Sequence, residues 1–239
     1  MHFKIRFPKA EHLNFSSFNN RYLEETCYLV GRGPTEYNYN DLYTINAPVF
    51  FINDAVLLDR KCPRETFFFA HDHRMLCLLD KGIKSIAIFA ENGKLFKNDP
   101  QAILPFPGKI ILYRWRQTDG NRLLRMSRDE ISARQELYTH TGTIHSALHF
   151  IWYCGFKKLY LIGCDGLNER SLFKTVKGAV TGYDSRLENI SETTPWWQYQ
   201  TIREVQNQLI TTFSIDAAYL GTPVKEKVET GDPQISSDF

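Results

Sequence analysis

Apolar residues in this chain come in short continuous runs rather than in strict alternation with polar ones. The clearest are Thr26 to Val30, Pro48 to Ile52, Thr66 to Ala70, Ser85 to Phe89, Ile110 to Trp115 and Lys158 to Gly163, with a weaker run at 215–219. Runs of this length, rich in aromatic and β-branched residues, predict strands covered on both faces, as in a parallel sheet. Helical spacing predicts helices near 73–81, 127–136, 142–154 and 197–213. Strands and helices that alternate in this way predict a single-domain α/β fold with a doubly wound, mostly parallel, Rossmann-like sheet. The long aperiodic segment 166–195 is expected to form a lid, and the polar stretch 224–239 a frayed tail behind a domain of residues 1–223.

Several of these runs end on polar or small residues. Ligands in open α/β sheets sit at the carboxyl ends of the strands, so those ends are where chemistry is expected. The first run is followed by Gly31-Arg32-Gly33-Pro34-Thr35, the second by Asn53-Asp54, the third by His71-Asp72-His73. The glycine turn lacks the third glycine of a dinucleotide fingerprint and the lysine of a phosphate loop, so alone it is an ordinary strand-to-loop turn as readily as a site. Farther along, Thr141-Gly142-Thr143 opens an apolar helix, and Gly155-Phe156-Lys157 leads into a strand that ends in Gly163-Cys164-Asp165. A small-residue loop at a helix start offers unpaired N–H groups and hydroxyls to an anion, which suits a phosphorylated ligand.

At 239 residues and 43% hydrophobic content the chain can bury a full core. Its five cysteines show no Cys-x-x-Cys spacing, as expected of reduced thiols in a cytoplasmic protein. There is neither a bilayer-length apolar run nor a signal-peptide pattern at Met1 to Pro8. A net charge of +2 gives no reason to expect a nucleic-acid partner. The charge is uneven, however: Arg114, Arg116, Arg122 and Arg125 cluster with Tyr113 and Trp115 interleaved and only Asp119 opposing. Such a segment suits an anionic sugar, a nucleic acid or peripheral contact with an anionic membrane; the plainer reading is a strand followed by a solvated helix face.

Taken together, the two half-sites resemble those of sialyltransferases, and the bacterial kind more than the animal kind. The matching residues are Gly31-Arg32-Gly33-Pro34-Thr35, Asn53, His140-Thr141-Gly142, Gly155-Phe156-Lys157-Lys158 and Gly163-Cys164-Asp165. The pattern covers about 26–75 and 138–220, and it is also similar to domains related to hydroxymethylpterin diphosphokinases. The resemblance implies an inverting, metal-independent, cofactor-free glycosyltransferase of bacterial surface-glycan synthesis. Its donor would be a CMP-activated sialic or octulosonic acid and its acceptor a glycan or glycolipid. It also implies nucleotide and donor contacts at Gly31, Arg32, Gly33, Pro34, Asn53, His140, Thr141, Gly142 and Thr143. Two positions depart from the family. Leu167 and Phe173 stand where tyrosines would hold the leaving phosphate, and no histidine follows His149.

The acceptor base is therefore expected at His71, His73 or Asp165, a histidine being preferred for its unperturbed pKa of about 6.5. His71 and His73 flank Asp72, which suits either an oriented base or a helix N-cap with two solvated histidines. Tyr183 and Arg186 in the lid suit phosphate or carboxylate, and Trp196 and Trp197 suit stacking on a sugar face or a plug in the core. His145 and His149 lie one helical turn apart, but without a neighbouring carboxylate they read as a buried helix face rather than a metal site. A magnesium-dependent pterin diphosphokinase-like enzyme using Asp54, Asp72 and Asp165, and a non-catalytic nucleotide- or carbohydrate-binding protein, remain the alternatives.

Overall fold

A computed structural model describes residues 7–31, 35–71, 78, 83–91, 106–116, 123–140, 142–164 and 196–223. The expected lid, tail and nearly all of the helix near 73–81 lie outside these residues. The fold is the expected one, a single α/β domain built on a mostly parallel sheet.

Among the described residues nine strands form one sheet. They are β1 (Glu11–His12), β2 (Thr26–Val30), β4 (Val49–Ile52), β5 (Thr66–Ala70), β6 (Ile86–Ala90), β7 (Lys109–Arg116), β8 (Glu136–Tyr138), β9 (Lys158–Ile162) and β10 (Asp216–Leu220). The order is β1-β7-β6-β5-β4-β2-β9-β10, with β8 beside β7, and each recorded pairing in it is parallel. A separate antiparallel pair joins β3 (Thr35–Glu36) to β11 (Thr222–Pro223).

The continuous apolar runs are explained by burial on both faces. Phe50, Phe67 and Phe69 point into one core, and Phe51, Phe68 and Ala70 into the other, as the two-residue period of a strand dictates. The first core is roofed by helix α2 (Thr143–Tyr153), whose Ala147, Leu148, Phe150 and Ile151 are fully buried. Phe50 stacks on Phe67 at 4.5 Å, and Phe150 meets Phe67 and Phe69 edge-on. Helix α3 (Trp196–Thr212) follows in the chain and inserts Leu209 into the same core. At the amino edge of the sheet, Asp59 ties the connection after β4 to the start of β6. Its Oδ2 accepts the Lys84 and Ser85 N–H groups at 2.7 and 2.9 Å and the Ser85 hydroxyl at 2.9 Å.

Two local expectations are corrected. The helix expected over 127–136 is α1 (Arg128–Arg134), opened by a reciprocal Ser127–Glu130 capping box. It stops because Gln135 turns left-handed, with φ 53°, and the chain enters β8. Residues Asn53–Lys61, for which no element was expected, form a 3₁₀ helix.

Candidate functional site at the carboxyl edge of the sheet

Strand order reverses at β2, from which β4 to β7 spread one way and β9 and β10 the other. The crevice above such a reversal is where open α/β sheets bind ligands. At this point Gly31, just after β2, donates its N–H to the Ile162 carbonyl at 2.8 Å. A Cβ on Gly31 would lie 2.4 Å from the Gly163 carbonyl oxygen and 3.0 Å from Cys164 Sγ, so only glycine lets the two turns close up. Gly163 is itself left-handed at φ 60°.

One strand over, Asn53 follows β4 with φ 55°, a conformation that costs a side-chain-bearing residue energy. Its side-chain Oδ1 is buried and has no hydrogen-bond partner among the described residues. Asp54 beside it is fully buried. A buried acceptor on a strained strand end is what a ligand-binding position leaves unsatisfied in the free protein.

At the next strand end His71 is half-buried, and its Nε2 lies 2.5 Å from the hydroxyl of Tyr113 on β7. Its sequence context predicts a near-neutral titration. Instead, burial, with His145 nearby, lowers His71 to about 3, so its ring is neutral at physiological pH. Tyr113 is fully buried, which pushes its phenol up, while a hydrogen bond with Ser146 pulls the other way. Ser146 donates to the Tyr138 carbonyl at 2.9 Å and also meets the Thr139 hydroxyl.

The amino end of α2 completes the edge. Gly142 is its N-cap, and no side chain caps the first turn. The Gly142 N–H donates to His145 Nδ1 at 3.3 Å, so His145 carries its proton on Nε2 and donates it to the Ile202 carbonyl at 3.1 Å. Burial lowers His145 to about 4, with a smaller contribution from His140, whose ring centre is 6.2 Å away. His149 is buried as well and lowered to about 3; its ring lies beside both Trp152 and Phe213, which stack on each other at 4.8 Å. The helix-face reading of these two histidines is thus the one observed, and among the described residues no three His, Cys, Asp or Glu side chains group as metal ligands.

Of the residues singled out from sequence, Gly31, Asn53, His71, His140, Gly142 and Thr143 lie along this carboxyl edge. Arg32, Gly33, Pro34, His73, Thr141, Asp165, Tyr183, Arg186 and Arg122 lie outside the described residues. Trp196 and Trp197 are the first two residues of α3. The arginine cluster is more balanced than its local sequence suggests. Arg116 pairs at 3.0 Å with the nearly buried Glu136 and Arg114 at 3.7 Å with Glu91, while Arg125 is exposed. Tyr113, Ser146 and Thr139 were not foreseen. The only sequence signal for Tyr113 is that it shares the inward face of its strand with Ile111, where a hydroxyl requires a partner.

No protein-family model matches this chain, and no curated protein sequence matches it significantly. Among the described residues no helix is long and apolar enough to cross a membrane.

Proposed function

We propose that this chain is a sialyltransferase-like glycosyltransferase. It moves an acidic sugar of the sialic or octulosonic type from a CMP-activated donor to a glycan or glycolipid acceptor. The observation that carries this reading is Asn53, strained, with a buried acceptor oxygen that no described protein group satisfies, at the strand end beside the reversal point. A nucleotide N–H or O–H supplies the missing donor. The first turn of α2, from Thr143 on, supplies N–H groups for the phosphate, and the helix dipole favours its charge.

In the transfer, the bond from the anomeric carbon to the CMP oxygen breaks and its electron pair leaves with CMP. The acceptor oxygen forms the new bond from the opposite face, and its proton passes to the base, for which His71 is the described candidate. Its basicity in the free protein is low, but a bound phosphate places negative charge close by and raises it. The fully buried Asp54 at the same strand end is the one feature that favours a magnesium-dependent phosphotransferase instead. A non-catalytic binder would take up CMP without turning the donor over.

The test is release of CMP from CMP-activated sialic and octulosonic acids, with and without magnesium. Release that persists in a chelator, and falls by about 10²–10⁴-fold in His71→Ala, is expected. Strict magnesium dependence, or no release from either donor, contradicts it.

A further inference from the structure

Helix α3 holds both turns that frame the crevice, and backbone partners fix the direction of each hydrogen bond. On the α2 side, the Gly142 N–H donates to His145 Nδ1 at 3.3 Å, so the ring hydrogen is on Nε2, which donates to the Ile202 carbonyl of α3 at 3.1 Å. The Ile202 side chain closes on the same turn, for a Cβ on Gly142 would lie 3.4 Å from three of its carbons. On the reversal-point side, Gln206 stands four residues beyond Ile202, one helical turn along the same face of α3. A carbonyl only accepts, so the Gln206 atom 3.0 Å from the Cys164 carbonyl is the amide nitrogen. That nitrogen also donates to the Tyr219 hydroxyl of β10 at 2.7 Å, and Tyr219 passes its own hydrogen to Asn207 Oδ1 at 3.1 Å. Cys164 is in turn the residue whose Sγ lies against Gly31. Gln206 and His145 are buried, so water does not compete for these bonds.

We propose that α3 is a brace that sets the spacing between these two turns, with His145 and Gln206 as its positioning residues. This rests on the nucleotide reading of the crevice, in which one ligand lies across both turns, its nucleoside at the reversal point and its phosphate on the first turn of α2. A ligand that joins two groups gains from holding both only while their sites keep the matching distance. Free cytidine and free phosphate each use one turn, so the spacing gives them nothing. His145 has both ring nitrogens committed within the protein and Gln206 both amide hydrogens, so neither offers a hydrogen to the ligand. Their effect on binding comes through the turns they hold.

The test pairs amide hydrogen exchange with magnetic-resonance titrations of CMP, cytidine and inorganic phosphate, on wild type, His145→Leu, Gln206→Leu and His145→Gln. CMP is expected to bind each leucine variant about tenfold more weakly, while cytidine and phosphate stay within about twofold of wild type. His145→Gln keeps one acceptor and one donor on the side chain and is expected to retain CMP affinity. Exchange in the free protein is read at the turn each substitution does not touch, the Gly142 amide in Gln206→Leu and the Gly31 amide in His145→Leu. Both amides are expected to exchange about tenfold faster. Equal losses for CMP and its two fragments, no rescue by glutamine, or unchanged exchange at either distant turn overturns the brace. If one leucine variant does not fold, the other carries both readings. Protein that shows the exchange linkage but binds no CMP keeps the brace and loses the glycosyltransferase reading.

Discussion

The two edges of the sheet handle buried polarity differently. At the amino edge, Oδ2 of the buried Asp59 carboxylate collects three donors from one turn and Ser85 also meets Thr66 at 3.0 Å, while Oδ1 has no partner among the described residues. These bonds close the connection between β4, β5 and β6 and are made within the fold. At the carboxyl edge, Asn53 is left-handed with an oxygen unmet among the described residues, the first turn of α2 is uncapped, and His71 and His145 are held neutral. Left-handed residues on the amino side, such as Gln135 and Ser214, end helices, whereas Asn53 ends a strand at the reversal point with its side-chain oxygen unmet, which marks the carboxyl edge as the part of the molecule that binds.

The contrast breaks first at Asp59. Asp59→Ala leaves three donors without their acceptor, so a loss of about 3 kcal/mol or more is expected in denaturant melts, with nucleotide affinity of the folded protein unchanged. Asp59→Asn, which keeps an acceptor oxygen, should lose less. A loss of CMP binding in folded Asp59→Ala would show that the two edges are not separable.

Acid sharpens the same contrast. His145 and His149 are fully buried and their pKa values are depressed to about 4 and about 3, against about 6.5 in the unfolded chain. The unfolded state therefore takes up protons first as pH falls. Stability from these groups is complete above about pH 6.5 and drains away below it, at up to about 2.7 kcal/mol per pH unit for the pair until the folded values are reached. Denaturant midpoints measured between pH 7 and pH 5 check this; a flat profile would mean that the two rings are not buried neutral.

Gly31→Ala comes next. The new methyl collides with the Gly163 carbonyl, so a loss of about 1–3 kcal/mol is expected, together with weakened CMP binding because the crevice floor itself shifts. Unchanged stability and affinity would place the ligand elsewhere.

How much of this was legible in the chain depends on the distance over which each feature is decided. Thr26–Val30 and Thr66–Ala70 were read to the residue, because a strand buried on both faces writes an unbroken apolar run. The helix at 127–136 was read too long, since its end is set by the left-handed Gln135 and by pairing of Glu136 with Arg114 across to β7. The two-residue strands carry too few side chains to leave a pattern. Gly31 and Asn53 were visible as turn residues, but the close contact of Gly31 with Gly163 is tertiary. The Tyr113–His71 bond spans 42 residues, and the burial that lowers His71 comes from packing that no local window contains.

The most direct test of the binding edge is calorimetry with the nucleoside monophosphates on wild type and Asn53→Gly. Glycine keeps the left-handed turn and removes the unmet oxygen, so stability should stay within about 1 kcal/mol of wild type. CMP should bind wild type in preference to the others, and about tenfold more weakly to the variant, the worth of one hydrogen bond. No heat with any of the nucleotides, or equal CMP affinity in the two proteins, would contradict the assignment of this edge as the nucleotide site.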